Sequence, residues 1–366
     1  MEYLLLLGVV GLFLSGAPLF AVIVGFSLVG GMATTRGEIW ESFGTNLVDV
    51  ISMGTSDKAK ILSTIPLFIF IGYVLAAGKT ADRMVRAAQS ALGWLPGGLA
   101  IVTIFACAAF TTFTGASGVT IVALGSLILP SLIKEKYPER FSLGLVAGTG
   151  SVGLLFPPAV PLFVFSTMYG LAFQGVVKEY PNATPLDAGR WLFAGIVPGL
   201  VLCGILCFYA VAVAVRHKVP RHKFDPREFG RAMFTALPEL LLPVLIIGGL
   251  AKGIDVPEIA SLAVVYVVLI EVFLYKDVRI RDLAAISKDS MALVGAIFII
   301  IFTAQGLANY FVTAGIPEAM VRFFTEHIDQ HQWWLFLLAV NLILIIAGMV
   351  MDIFSAIVII VPLLAL

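Results

Sequence analysis

A chain of 366 residues with 60% apolar side chains, 13% charged ones and a mean hydropathy of +1.03 is too apolar for a water-soluble domain, which averages about 45–50% apolar and about 25% charged. Its solvent is a bilayer. Lys plus Arg and Asp plus Glu both total 23, which leaves no basic field for nucleic acid.

The opening MEYLLLL lacks a basic leader and a small-residue cleavage site and reads as a retained first span. Apolar runs cover 3–30, 62–77, 98–133, 141–173, 191–215, 234–251, 256–275, 290–308 and 332–366. Only helices or closed barrels satisfy their backbone in lipid, and no alternating barrel pattern is present, so an all-α polytopic membrane protein is expected. Cys107, Cys203 and Cys207 lie inside these runs and read as small apolar packers, not as disulfide or zinc ligands.

The run at 98–133 is about 54 Å long as one helix, against a hydrocarbon core of about 30 Å, yet too short for two full spans. It reads as a re-entrant hairpin broken at Thr114-Gly115-Ala116-Ser117-Gly118. Next, Gly148-Thr149-Gly150-Ser151-Val152-Gly153 precedes Pro157-Pro158 in the middle of an apolar run. Each proline removes a donor and clashes with an earlier carbonyl, so this span is a broken helix whose freed carbonyls face the hairpin tip.

Further along, Arg216, Lys218, Arg221, Lys223, Arg227 and Arg231 form the densest positive cluster and mark 216–231 as cytoplasmic. From that anchor, 79–97, the loop carrying Lys134, Lys136 and Arg140, and 276–288 are cytoplasmic as well, as is the N-terminus. The segments 174–190 and 309–331 are external. The hairpin at 98–133 therefore enters from the cytoplasm and 332–366 from outside. Trp94, Trp191, Trp333 and Trp334 stand at span ends, as interfacial anchors do.

That opposition accompanies a weak internal match. Ala77-Gly78 with Met84-Val85-Arg86 returns as Ala314-Gly315 with Met320-Val321-Arg322, each opening a short amphipathic helix, about 80–93 and 316–328. The order of elements makes this an inverted repeat, which places paired sites at the midplane. The boundaries are 1–61 for a scaffold span and external loop, 62–173 for the first repeat, 174–289 for scaffold spans, and 290–366 for the second repeat with its hairpin at 332–366.

Helix ends at such tips offer carbonyls to cations and N–H groups to anions. Thr114, Gly115, Ser117, Gly118, Gly150, Ser151, Gly153, Pro157 and, at the second tip, Gly348 are the candidate cation-site residues, with Na⁺ as the ion. The alternative is that the small residues only permit close helix packing. Ser117, Thr120, Ser151, Asp352 and Ser355 are the candidate substrate contacts. Asp352 is the one carboxylate that this topology puts near the midplane, where a charge is costly unless paired or hydrated. It contacts substrate, helps hold the cation, or is a protonated carboxyl satisfying nearby backbone. Glu239, Glu258 and Glu271, near interfaces, are read as helix caps or partners of Lys and Arg. The four histidines fall in loops, so no proton relay or metal cluster is indicated.

The succession IPLFIFIGYVL (65–75), LPGGLA (95–100), FTGASGVTIVALGSLILP (113–130), GSVGLLFPPAVP (150–161), FAGIVPGL (193–200) and LLLPVLIIGGLAKGIDVPEIASLAVVY (240–266) resembles the large membrane subunit of tripartite ATP-independent periplasmic (TRAP) transporters over essentially the whole chain. The resemblance implies a Na⁺-driven secondary importer of a small organic acid in the bacterial inner membrane, working by an elevator motion. It implies two partners, an extracytoplasmic substrate-binding protein and a separate small four-helix membrane subunit, and no cofactor beyond the coupling ion. Such proteins usually carry Ser-Gly-Ser at the first tip, with an Asp a few residues later, where this chain has Thr114, Gly115, Ala116 and Thr120. A Ser is usual at Gly150 and at Ala159. Backbone ligands are thus kept while side-chain ligands differ. Asp352 matches the acidic residue of the second tip. The resemblance and the repeat together lead us to expect a further broken span after Leu366. The rival readings are a proton-coupled transporter or ion channel of related architecture without a binding protein, and an intramembrane enzyme, for which no Ser/His or paired-Asp set is present.

Overall fold

The computed structural model describes residues 63–179, 193–220, 224–313, 333–351 and 353–364, with isolated positions between 8 and 29 and between 315 and 322. All regular structure among them is helical. In chain order the helices are α1 (Thr64–Ala77), α2 (Thr80–Leu92), α3 (Gly98–Thr114), α4 (Ser117–Lys134), α5 (Glu139–Thr149), α6 (Val160–Glu179), α7 (Ile196–Arg216), α8 (Pro226–Ala251), α9 (Val256–Val268), α10 (Asp282–Thr313), α11 (Trp333–Val350) and α12 (Ile353–Leu364). A 3-10 turn at Val152–Leu155 lies between α5 and α6, and α9 runs on as a π-helical turn at Leu269–Leu274.

Five of the described helices are long and apolar enough to cross a bilayer, or seven if each of two bent pairs is one span. The molecule is an all-α polytopic membrane protein. Its helix faces confirm the apolar solvent: Phe208 is 79% exposed, Phe234 78% and Met349 82%, values that water would penalise and lipid rewards.

Two helices start earlier than their apolar runs. The run at 234–251 becomes α8 from Pro226, because Asp225 accepts the Arg227 backbone N–H at 2.9 Å and Pro226 occupies the first turn, where its missing donor is not needed. Arg227 and Arg231 thus lie on a helix and not in a loop. Likewise α10 begins at Asp282, eight residues before the run at 290–308, with that carboxylate in its first turn. The expected hairpin at 98–133 is two helices joined at Gly115-Ala116, and the run at 332–366 is two helices interrupted after Val350. The amphipathic segment expected at 316–328 and the first apolar run at 3–30 fall largely outside the described residues.

The chain divides into two compact units, one of 60–163 and 186–292, the other of 1–59, 164–185 and 293–366. In the first, α3 is the centre. Fifteen of its residues are buried, and it packs against α1, α2, α4, α5, α7 and the 3-10 turn. Its Ala and Cys residues between 106 and 109 keep its surface slim enough for backbones to approach. A bend of 75° separates α1 from α2, and α2 buries Thr80, Met84 and Ala87 along one face, as the amphipathic pattern of 80–93 predicts. In the second unit α11 packs against α12, where Phe354, Ser355, Ile360 and Val361 are buried.

Candidate functional site

The first tip is built by glycine and closed by threonine. α3 ends because Gly115 adopts a left-handed backbone (φ +63°) while its N–H bonds the Thr111 carbonyl at 2.8 Å, the conformation only glycine reaches cheaply. A Cβ at Gly115 would lie 2.8 Å from the Val160 side chain, just beyond the proline break. Two more glycines clamp the same turn of α3. A methyl at Gly72 of α1 would run into the Thr114 backbone, and one at Gly153 would run into the Ala108 carbonyl and Thr111. The tip, α1 and the 3-10 turn therefore meet at backbone distance.

Inside this contact lies a knot of oxygens. The Thr111 hydroxyl is 2.8 Å from the Cys107 carbonyl, 2.8 Å from the Thr120 hydroxyl and 2.9 Å from the Gly150 carbonyl. Thr120 in turn lies 3.2 Å from the Thr114 hydroxyl and 3.4 Å from the Ala116 carbonyl. One turn along, Thr112 is 2.8 Å from the Ala108 carbonyl and 3.0 Å from the Gly153 carbonyl. Thr111, Thr114 and Thr120 are all buried. Each hydroxyl has one proton to donate and spare lone pairs to offer, so oxygen acceptors outnumber donors here. Among the described residues no group of three His, Cys, Asp or Glu side chains could hold a metal. A neutral, hard-oxygen set suits a weakly held monovalent cation, not a transition metal.

The predicted site residues fall as follows. Thr114, Gly115, Thr120, Gly150 and Gly153 come together in this contact, Gly150 and Gly153 through their carbonyls. Pro157 is buried in the break, with a cis bond to Pro158. Ser117 opens α4 and is half-buried, whereas Gly118 is exposed with open space about it. Ser151 is exposed and turns its hydroxyl to the Gly148 carbonyl at 3.0 Å. Gly348 is exposed near the end of α11 and Ser355 is buried in α12, both in the second unit. Asp352 lies outside the described residues. Thr111 and Thr112 were not among the predicted residues. Their signal is a Thr-Thr pair one turn before the tip glycine, on the side the break must face.

Away from the tip, Glu239 and Glu271 pair with a cation, Arg83 of α2, while Glu258 sits exposed in the first turn of α9, where the helix dipole favours it. The Arg83 contacts bring together the start of α2, the middle of α8, the π-helical end of α9 and the loop after it.

Comparison with known proteins sets this geometry in a family. The sequence pattern of the tripartite ATP-independent periplasmic transporter DctM component matches residues 4–365. The chain is 34% identical over 313 residues to the C4-dicarboxylate TRAP transporter large permease protein DctM of Rhodobacter capsulatus, covering 84% of this chain and 70% of that protein. It is 29% identical over 381 residues to the DctM protein of Vibrio cholerae, covering 95% and 80%. To the ectoine TRAP transporter large permease protein TeaC of Halomonas elongata it is 28% identical over 320 residues, covering 85% and 69%. A bundle of apolar helices with a glycine-broken hairpin seated on a proline-broken span, matched almost end to end by one family pattern, belongs to the DctM component family of tripartite ATP-independent periplasmic transporters.

Proposed function

We propose that this chain is the permease subunit of a Na⁺-coupled importer that carries a small organic solute, delivered by an extracytoplasmic binding protein, across a bacterial inner membrane. The observation that carries the reading is the carboxylate-free oxygen knot of Thr111, Thr114 and Thr120 with the Gly150 carbonyl. It is buried at a helix break, where a cation without a permanent counter-charge binds weakly enough to be released. Relatives are named for C4-dicarboxylates and for ectoine, so the cargo class is small and polar, and we favour an organic acid.

In this reading the ion completes the hairpin tip by binding the Gly150 and Gly153 carbonyls, which now accept hydrogen bonds from the Thr111 and Thr112 hydroxyls. The tip then closes over solute bound near Ser117, Thr120 and Ser151; for the second hairpin we propose Asp352 and Ser355 as the solute-contacting residues. The hairpins move across the membrane as an elevator against a scaffold, α2 serves as an interfacial arm, and a small four-helix subunit braces the scaffold. We propose a second cation site at Gly348.

Uptake into vesicles holding the permease and its small subunit tests the reading. Accumulation of the cargo, identified by a thermal-shift screen of the cognate binding protein, is expected only with an inward Na⁺ gradient and added binding protein. Uptake indifferent to both would refute it. Replacing Asp352 with Asn is expected to abolish uptake with membrane insertion intact; unimpaired uptake would remove Asp352 from the site.

A further inference from the structure

Where α2 packs on α8, the two helices leave a gap at the start of α8. Arg86 and Gln89 fall three residues apart on a face of α2 other than the one that buries Thr80, Met84 and Ala87, and Trp94 follows just past the end of that helix. Together with Phe224, Asp225 and Glu228 they line a cavity of about 200 Å³. All six residues belong to one compact unit.

The lining carries one cation and two carboxylates that do not meet: among the described residues neither Asp225 nor Glu228 forms an ion pair with Arg86. Opposite charges that share a cavity without pairing leave room for a ligand that carries both signs. Asp225 gives one oxygen to the Arg227 backbone N–H at 2.9 Å, and a carboxylate has further lone pairs to offer beyond that bond. The two aromatic rings are half out of the protein, Trp94 49% and Phe224 48% exposed, and the Trp94 indole N–H donates to the Ala91 carbonyl at 2.8 Å. Amphipathic rings at the ends of apolar spans sit at the level of the lipid headgroups. The cavity is smaller than the about 300–1,000 Å³ that takes up a drug-sized ligand, so it has room for a headgroup while acyl chains remain in the bilayer.

We propose that this pocket binds the head of a zwitterionic phospholipid bearing a primary ammonium, with the phosphate on Arg86 and the ammonium between Asp225 and Glu228. The guanidinium fork matches two phosphate oxygens, and Gln89 adds an amide donor beside it. A primary ammonium has three N–H donors for the carboxylates. A trimethylated head has none to give, and an anionic head without an ammonium would bring its charge against two carboxylates. The site lies apart from the hairpin tip and does not depend on the transport reading.

The test is thermal melting of the purified protein in mixed micelles, titrated with phosphatidylethanolamine, phosphatidylcholine or phosphatidylglycerol of the same acyl chains, and with water-soluble glycerophosphoethanolamine. Phosphatidylethanolamine is expected to raise the melting temperature at about tenfold lower concentration than the other two lipids, equivalent to about 1.4 kcal/mol, and the soluble head alone is expected to have no effect in that range. Glu228→Gln combined with Asp225→Asn, which keeps a capping side chain on α8, is expected to erase the advantage over phosphatidylcholine. Arg86→Gln is expected to weaken the response to both zwitterionic lipids. Should the double variant fail to fold, exposed Glu228→Gln alone is expected to narrow the difference. Equal curves for phosphatidylethanolamine and phosphatidylcholine in the native protein would overturn the proposal. So would tighter binding of phosphatidylglycerol, an equal response to the soluble head, or an unchanged ethanolamine preference in the folded carboxylate variants.

Discussion

A methyl group at Gly153 would have to share the position of the Ala108 carbonyl, and no flexible side chain is there to yield. Gly153→Ala should therefore act as an overpacking substitution, destabilising by about 1–3 kcal/mol and lowering the melting temperature in detergent. Gly118→Ala, with open space around it, should be silent in the same measurement; equal effects would mean that the close packing of the break on α3 is not what holds the tip. Thr111→Val keeps the shape and removes the hydroxyl that now satisfies Gly150, so its cost falls on a buried carbonyl, about 1–3 kcal/mol. Glycine and proline make the tip and break readable from sequence, since each carries a backbone rule that holds in any context. Thr111 and Thr112 are not readable in that way, because a threonine in an apolar helix is equally served by the carbonyl four residues earlier, a bond both also make here.

At the scale of elements, the 75° elbow between α1 and α2 is held by side chains far apart in the chain, with 156 to 194 residues separating Arg83 from its carboxylate partners. Charge pattern alone tells that Glu239 and Glu271 need a cation; which one answers depends on how α8 and α9 pack against α2, and that lies beyond local sequence. Arg83→Ala leaves buried carboxylates without their counter-charge and is expected to destabilise by about 3–5 kcal/mol, read as a large drop in melting temperature with loosened protease protection of α2. Arg83→Lys, a single ammonium in place of the fork, should recover only part of it. A neutral outcome for Arg83→Ala would show that the arm is held by its apolar face alone. The early starts of α8 and α10 make the same point about boundaries: the cap at Asp225 and the first-turn carboxylate of Asp282 outrank the edge of the apolar run.

Over the whole molecule, composition and the positions of the few charges suffice for an all-helical polytopic fold, because a bilayer leaves the backbone so few choices. The proposed coupling to an ion is a finer matter, resting on oxygens less than 4 Å apart at one hairpin tip. The most direct measurement is a Na⁺ titration of the melting temperature of the purified protein, against choline at matched ionic strength. An ion bound by the folded state raises stability logarithmically with its concentration. The melting temperature is expected to rise with Na⁺ and not with choline. In Thr111→Val the Na⁺ midpoint should move up about tenfold, equivalent to about 1.4 kcal/mol of lost binding. Identical Na⁺ and choline curves in the native protein, or an unshifted midpoint in a folded Thr111→Val, would contradict the assignment of the coupling cation to this tip.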